Sequence, residues 1–122
     1  MNQFNDLDRL VQQTWELHQA QIQTELVSLL QEKLETHFSV RLNAAIAKIG
    51  LTYHYQETGD RAYASFPYHN YEVRIICERG GSLSLQFLQN GDDIESGWLR
   101  PQELEKFLLL CLHRIKTEGR PF

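Results

Sequence analysis

Between Asn5 and Ile49 the chain contains neither proline nor glycine, and this run restricts the fold more than any other feature. One helix over residues 5–49 would extend about 65 Å, whereas a globule of 122 residues is only about 35 Å across. The apolar pattern shows where that conflict is resolved. Early in the run Leu7, Val11, Trp15, Ile22, Leu26 and Leu29 recur, with His18 filling the remaining step. The pattern returns every eleven residues, which suits a nearly straight helix. Later, Leu30, Leu34, Phe38, Leu42, Ala45, Ile46 and Ile49 form a second stripe. At about 100° per residue the two stripes lie roughly on opposite sides of the axis. Either the chain breaks near Thr36-His37-Phe38-Ser39, or its first half projects and needs a partner. The expected arrangement is a long first helix, bent or broken there, whose early stripe (Leu7, Val11, Trp15, Ile22, Leu26) meets a second copy. Asn5 is the expected N-cap, with Asp8 in the first turn, and Gly50 stands where a helix C′ residue belongs.

Residues 51–98 change to a period of two. LTYHYQE, RAYASF, YEVRIIC, SLSLQFL and IESGW read as five strands, separated by TGD, PYHN, RGG and QNGDD, all turn chemistry. Connections this short require an antiparallel meander, because a parallel crossover needs a dozen or more residues. One face collects Leu51, Tyr53, Tyr55, Ala62, Ala64 and Phe66 from the first two strands. The others add Tyr71, Val73, Ile75, Cys77, Leu83, Leu85, Phe87, Ile94 and Trp98. Pro101 then opens a last helix over residues 101–118, and Gly119 closes it. Its core arc is Leu104, Phe107, Leu108, Cys111, Leu112 and Ile115, with Leu109 and Leu110 on opposite flanks. Both are expected to be covered in the assembled protein. The chain thus reads as a single α+β domain over residues 1–122: a helical segment at 5–49, a sheet at 51–98 and a C-terminal helix on one sheet face.

Composition narrows the functional classes. The net charge of −4 comes with no basic block or stripe, which argues against binding a nucleic-acid backbone. The N-terminus has no basic and apolar leader pattern, and the longest apolar run, Phe107 to Leu112, is far too short to span a membrane. A cytoplasmic protein is expected. The two cysteines, Cys77 and Cys111, read as buried free thiols. No histidine pair has zinc spacing, and no phosphate-binding, dinucleotide or nucleophile motif occurs. No metal, cofactor or catalytic residue is expected. The size, charge and α+β content are shared with the small acidic dimeric chaperones of secretion systems. Those place a helix between the third and fourth strands, where only Glu78-Arg79-Gly80-Gly81 stands here.

The other face of the sheet carries polar residues, and no lysine occurs in the five strands. A solvated face usually carries more charge. Requiring core residues to share a face puts Gln56, Tyr63, Arg74, Gln86 and Glu95 in one lateral row and His54, Ser65, Glu72 and Leu88 in another. The expected function is a non-enzymatic protein-interaction or adaptor module that is homodimeric. The alternative is a protein, or an enzyme, that binds a small polar ligand or peptide on the outer face. His54, Gln56, Tyr63, Arg74 and Gln86 would line it, with Arg74 as anchor and Tyr63 as platform.

Overall fold

A computed structural model describes residues 3–56 and 60–122. Glu57 and the predicted turn residues Thr58 and Gly59 lie outside the described residues, as do Met1 and Asn2. Helix α1 spans Asn5–His37 and α2 spans Val40–Ile49. The break falls at Phe38-Ser39, where the sequence predicts it. Ser39 has extended backbone angles and its Oγ accepts from the Leu42 N–H, so it caps α2. The Asn43 side-chain amide donates to the Leu34 carbonyl (3.1 Å), which also accepts the Phe38 N–H, so α2 is tied across the break to the last turn of α1. Gly50 ends α2 at φ 118°, a conformation that favours glycine. At the other end Asn5 is the first helical residue and not the N-cap. Phe4 occupies that position without a side-chain cap.

The sheet is a five-stranded antiparallel meander in the order β1-β2-β3-β4-β5. The strands are β1 Thr52–Tyr55, β2 Arg61–Tyr68, β3 Tyr71–Glu78, β4 Leu83–Gln89 and β5 Asp92–Glu95. A 3-10 turn, Pro101–Glu103, leads into α3, Leu104–Glu118. The core lies between one sheet face and the helices. Leu26, Leu30 and Leu34 of α1, Phe38, Ile46 of α2, and Leu104, Leu108, Cys111 and Ile115 of α3 are buried with the inward residues of β2–β4. Glu105 of α3 accepts the backbone N–H of Ser39 (3.0 Å), so the α1–α2 break is pinned to the start of α3. Within the chain Leu109 and Leu110 are 47% and 46% exposed, so each flank of α3 is about half covered.

The fifth strand differs from its predicted position, IESGW. Asn90-Gly91 forms a two-residue turn with positive φ at both positions, so Asp92 pairs at once with Gln89. After Glu95 the Ser96 Oγ accepts the Leu85 N–H (2.9 Å), in place of a backbone carbonyl. The next pairing joins Leu99 to Leu83. Ser96 to Leu99 therefore contains one residue more than the opposing Leu83 to Leu85, which is the effect of a β-bulge. Trp98 leaves the core face and is 59% exposed, while Leu99 packs on the core instead. Ile94 keeps the inward face but sits on the edge strand and is 41% exposed.

Cys77 and Cys111 are free and buried. Burial pushes both thiols above their ordinary range. Neither should react with a soluble disulfide reagent at neutral pH in the folded protein, and both should react after unfolding. A thiol titration in buffer and in denaturant checks this.

Candidate functional site

The first half of α1 stands apart from the core. Every described residue from Gln3 to His18 is exposed, and burial begins only near Gln19. Residues 5–18 therefore overhang the globule by roughly 20 Å at 1.5 Å per residue. Leu7, Leu10, Val11, Trp15 and Leu17 are each more than half exposed on this overhang. Around the helix they fill one arc of about 160°, and Asp8, Gln12, Arg9, Glu16 and Gln13 fill the opposite one. Of the predicted dimer-interface residues, Leu7, Val11 and Trp15 lie on the overhang. Ile22 is partly buried and Leu26 is buried in the chain's own core. The stripe thus runs from open solvent into the packed body without interruption.

The outer sheet face brings His54, Tyr63, Arg74 and Gln86 together, in a register shifted from the expected one. His54 pairs with Tyr63 and Thr52 with Ser65. Tyr63 pairs with Ile76 and Ser65 with Arg74. The expected rows were displaced by two residues at both junctions, a slip that keeps every side chain on its face. Across β3–β5 the expected pairs hold: Arg74 with Gln86, Gln86 with Glu95 and Glu72 with Leu88. Gln56 lies past the end of β1, where its N–H bonds the Arg61 carbonyl (3.0 Å).

These side chains form a chain of contacts from one edge to the other. Thr52 Oγ1 bonds His54 Nε2 (2.9 Å), and the His54 ring stacks on Tyr63 with centroids 5.0 Å apart. On the β3 side the Arg74 guanidinium lies over the same ring, 4.4 Å from its centroid. Arg74 then donates to Gln86 (3.3 Å), and Gln86 donates to Asp93 (3.3 Å). Glu72 accepts from Arg74 at 3.1 Å. The Arg74 Nε–H is buried and has no hydrogen-bond partner among the described residues.

The sequence patterns placed Ile76 on neither face, yet the structure puts it at the centre of the outer one. It is 0% exposed and separate from the main core. Tyr63 and Ser84 flank it across the strands. Arg61 of β2 pairs with Glu78 (2.6 Å) and reaches Glu95 of β5 (3.6 Å). A hollow of about 170 Å³ at one end, lined in part by Arg61, Ser84, Glu95 and Trp98, is smaller than the usual ligand cleft of about 300–1,000 Å³. The Tyr63 ring already stacks with His54 and lies under the Arg74 guanidinium, so it is not a free platform.

Among the described residues, no group of three or more His, Cys, Asp or Glu is placed to hold a metal ion. Nor is any helix among them long and apolar enough to cross a membrane. No family model, curated protein or solved structure matches this chain.

Proposed function

We propose that this chain is a non-enzymatic interaction module that works as a homodimer through the overhanging half of α1. The observation that carries the reading is the apolar stripe of Leu7, Val11 and Trp15, each more than half exposed on the part of α1 where every described residue from Gln3 to His18 is exposed. Helices of about 12–15 residues are marginal in water without packing, and the overhang has this length. Continuity with the packed part of α1 nucleates it, but a covering surface is what would hold it. A second copy supplies the same arc, and two-fold pairing would bury each side chain twice. Full burial of a large apolar side chain contributes about 1.5–3 kcal/mol, so a few such pairs compete with the cost of association.

Light scattering tests this. The expected result is a dimer mass at micromolar concentration that falls to monomer on dilution. Monomer mass throughout the micromolar range would refute it. The second reading, a polar ligand on the outer sheet face, has less support. A ligand there would have to displace His54, Arg74 or Gln86 from contacts they already make with one another.

A further inference from the structure

The sheet has two edges, and they differ in chemistry. β5, Asp92–Glu95, is exposed throughout and carries three carboxylates, a common guard against pairing with another strand. β1, Thr52–Tyr55, carries no formal charge and no proline. Its open side can be read from the ladder. The Gln56 N–H points to β2, where it bonds Arg61. Backbone direction alternates along a strand, so His54 and Thr52 also face β2, while Tyr53 and Tyr55 turn their N–H and C=O groups outward. Beside this edge an open groove of about 430 Å³ separates β1 from α1, within the size range of natural binding clefts. The helix wall is Gln23, Val27 and Gln31, one turn apart, with Thr24 and Ser28 between them. From Gln23 to Gln31 it runs about 12 Å, and from Thr52 to Tyr55 β1 runs about 10 Å. Two walls of similar length, neither bearing formal charge, border a strand whose outward side has no neighbour among the described strands.

We propose that this edge and groove bind an extended, uncharged segment of a partner protein by strand addition to β1. About four residues of the guest pair with the outward groups of Tyr53 and Tyr55. Alternate guest side chains enter the groove, where Val27 gives an apolar floor and the glutamine, serine and threonine side chains give hydrogen bonds. A second copy of β1 is a poorer occupant. It would bring its own Gln23–Gln31 wall against this one, polar against polar, with little apolar surface to bury.

The probe is a phage-displayed library of random decapeptides, the tightest binder then being synthesised. The bound peptide should contain about four consecutive uncharged residues and slow amide exchange at Tyr53 and Tyr55 at least tenfold. N-methylation at alternate amides of that stretch should weaken binding at least tenfold, as should Ser28→Asp, an exposed helix position where folding is not at stake. Trp15→Glu should bind the peptide unchanged, so the result does not depend on the homodimer. Failure to enrich any peptide overturns the proposal, as does protection of amides elsewhere or full affinity after N-methylation. Protection of Tyr53 and Tyr55 that rises with protein concentration, without peptide, also overturns it and gives the edge to a second copy.

Discussion

Trp15→Glu should convert the proposed homodimer to a monomer at concentrations where the wild type is expected to scatter as a dimer. Trp15 sits midway along the stripe from Leu7 to Ile22 and is 56% exposed in the single chain, so half its surface is open to a partner. Large aromatic side chains at the centre of an interface dominate its energy, at about 2 kcal/mol or more each. Glutamate removes that contribution and also places a carboxylate where water is excluded, a further cost unless it is paired. Two-fold pairing imposes both losses twice. The dissociation constant should rise by a factor on the order of 10³ or more, at 1.4 kcal/mol for each tenfold change. Gln13→Glu is the control. It adds the same charge on the polar side of the overhang and should leave the dimer intact. Light scattering gives the mass, and circular dichroism should show that the packed part of α1 remains helical. A dimeric Trp15→Glu protein would place the interface on another surface.

The helix break and the overhang were legible because both follow from period and length. Opposed stripes on one uninterrupted run require either a turn in the chain or a second surface, and the structure has the turn at Ser39 as well as an uncovered first half. Face was equally legible in the sheet, since Ala62, Ala64, Val73, Ile75, Leu83 and Leu85 alternate strictly and all point inward. Register was not. A slip of two residues preserves alternation, so hydrophobic pattern alone cannot separate His54 opposite Tyr63 from His54 opposite Ser65. The bulge at Ser96–Trp98 was hidden for a related reason. Trp98 has the parity of Ile94, and only the Ser96 side chain, by taking the Leu85 N–H, reverses it.

Ile76 is where the outer face should prove structural. An isoleucine beside Ile75 breaks alternation, and the pattern offers no reason for an apolar residue among Glu72, Arg74 and Glu78. The structure supplies it: Ile76 is fully buried outside the main core, with Tyr63 and Ser84 opposite it across the strands and Arg74 and Glu78 two residues away along β3. Ile76→Ala should therefore destabilise the fold by about 2–4 kcal/mol, the range for buried isoleucine at sites that cannot collapse, although the residue lies on the face away from the helices. Arg74→Ala removes the guanidinium from the Tyr63 ring, worth about 0.5–2 kcal/mol. It should cost about 1–2 kcal/mol, well above the usual ±0.5 for a surface change. Urea unfolding with unchanged m-values measures both. If Ile76→Ala costs under about 1 kcal/mol and Arg74→Ala is neutral, the side chains around Ile76 contribute little to folding. The polar face would then be free to rearrange around a ligand, and the reading that places His54, Tyr63 and Arg74 at a binding site would gain the support it now lacks.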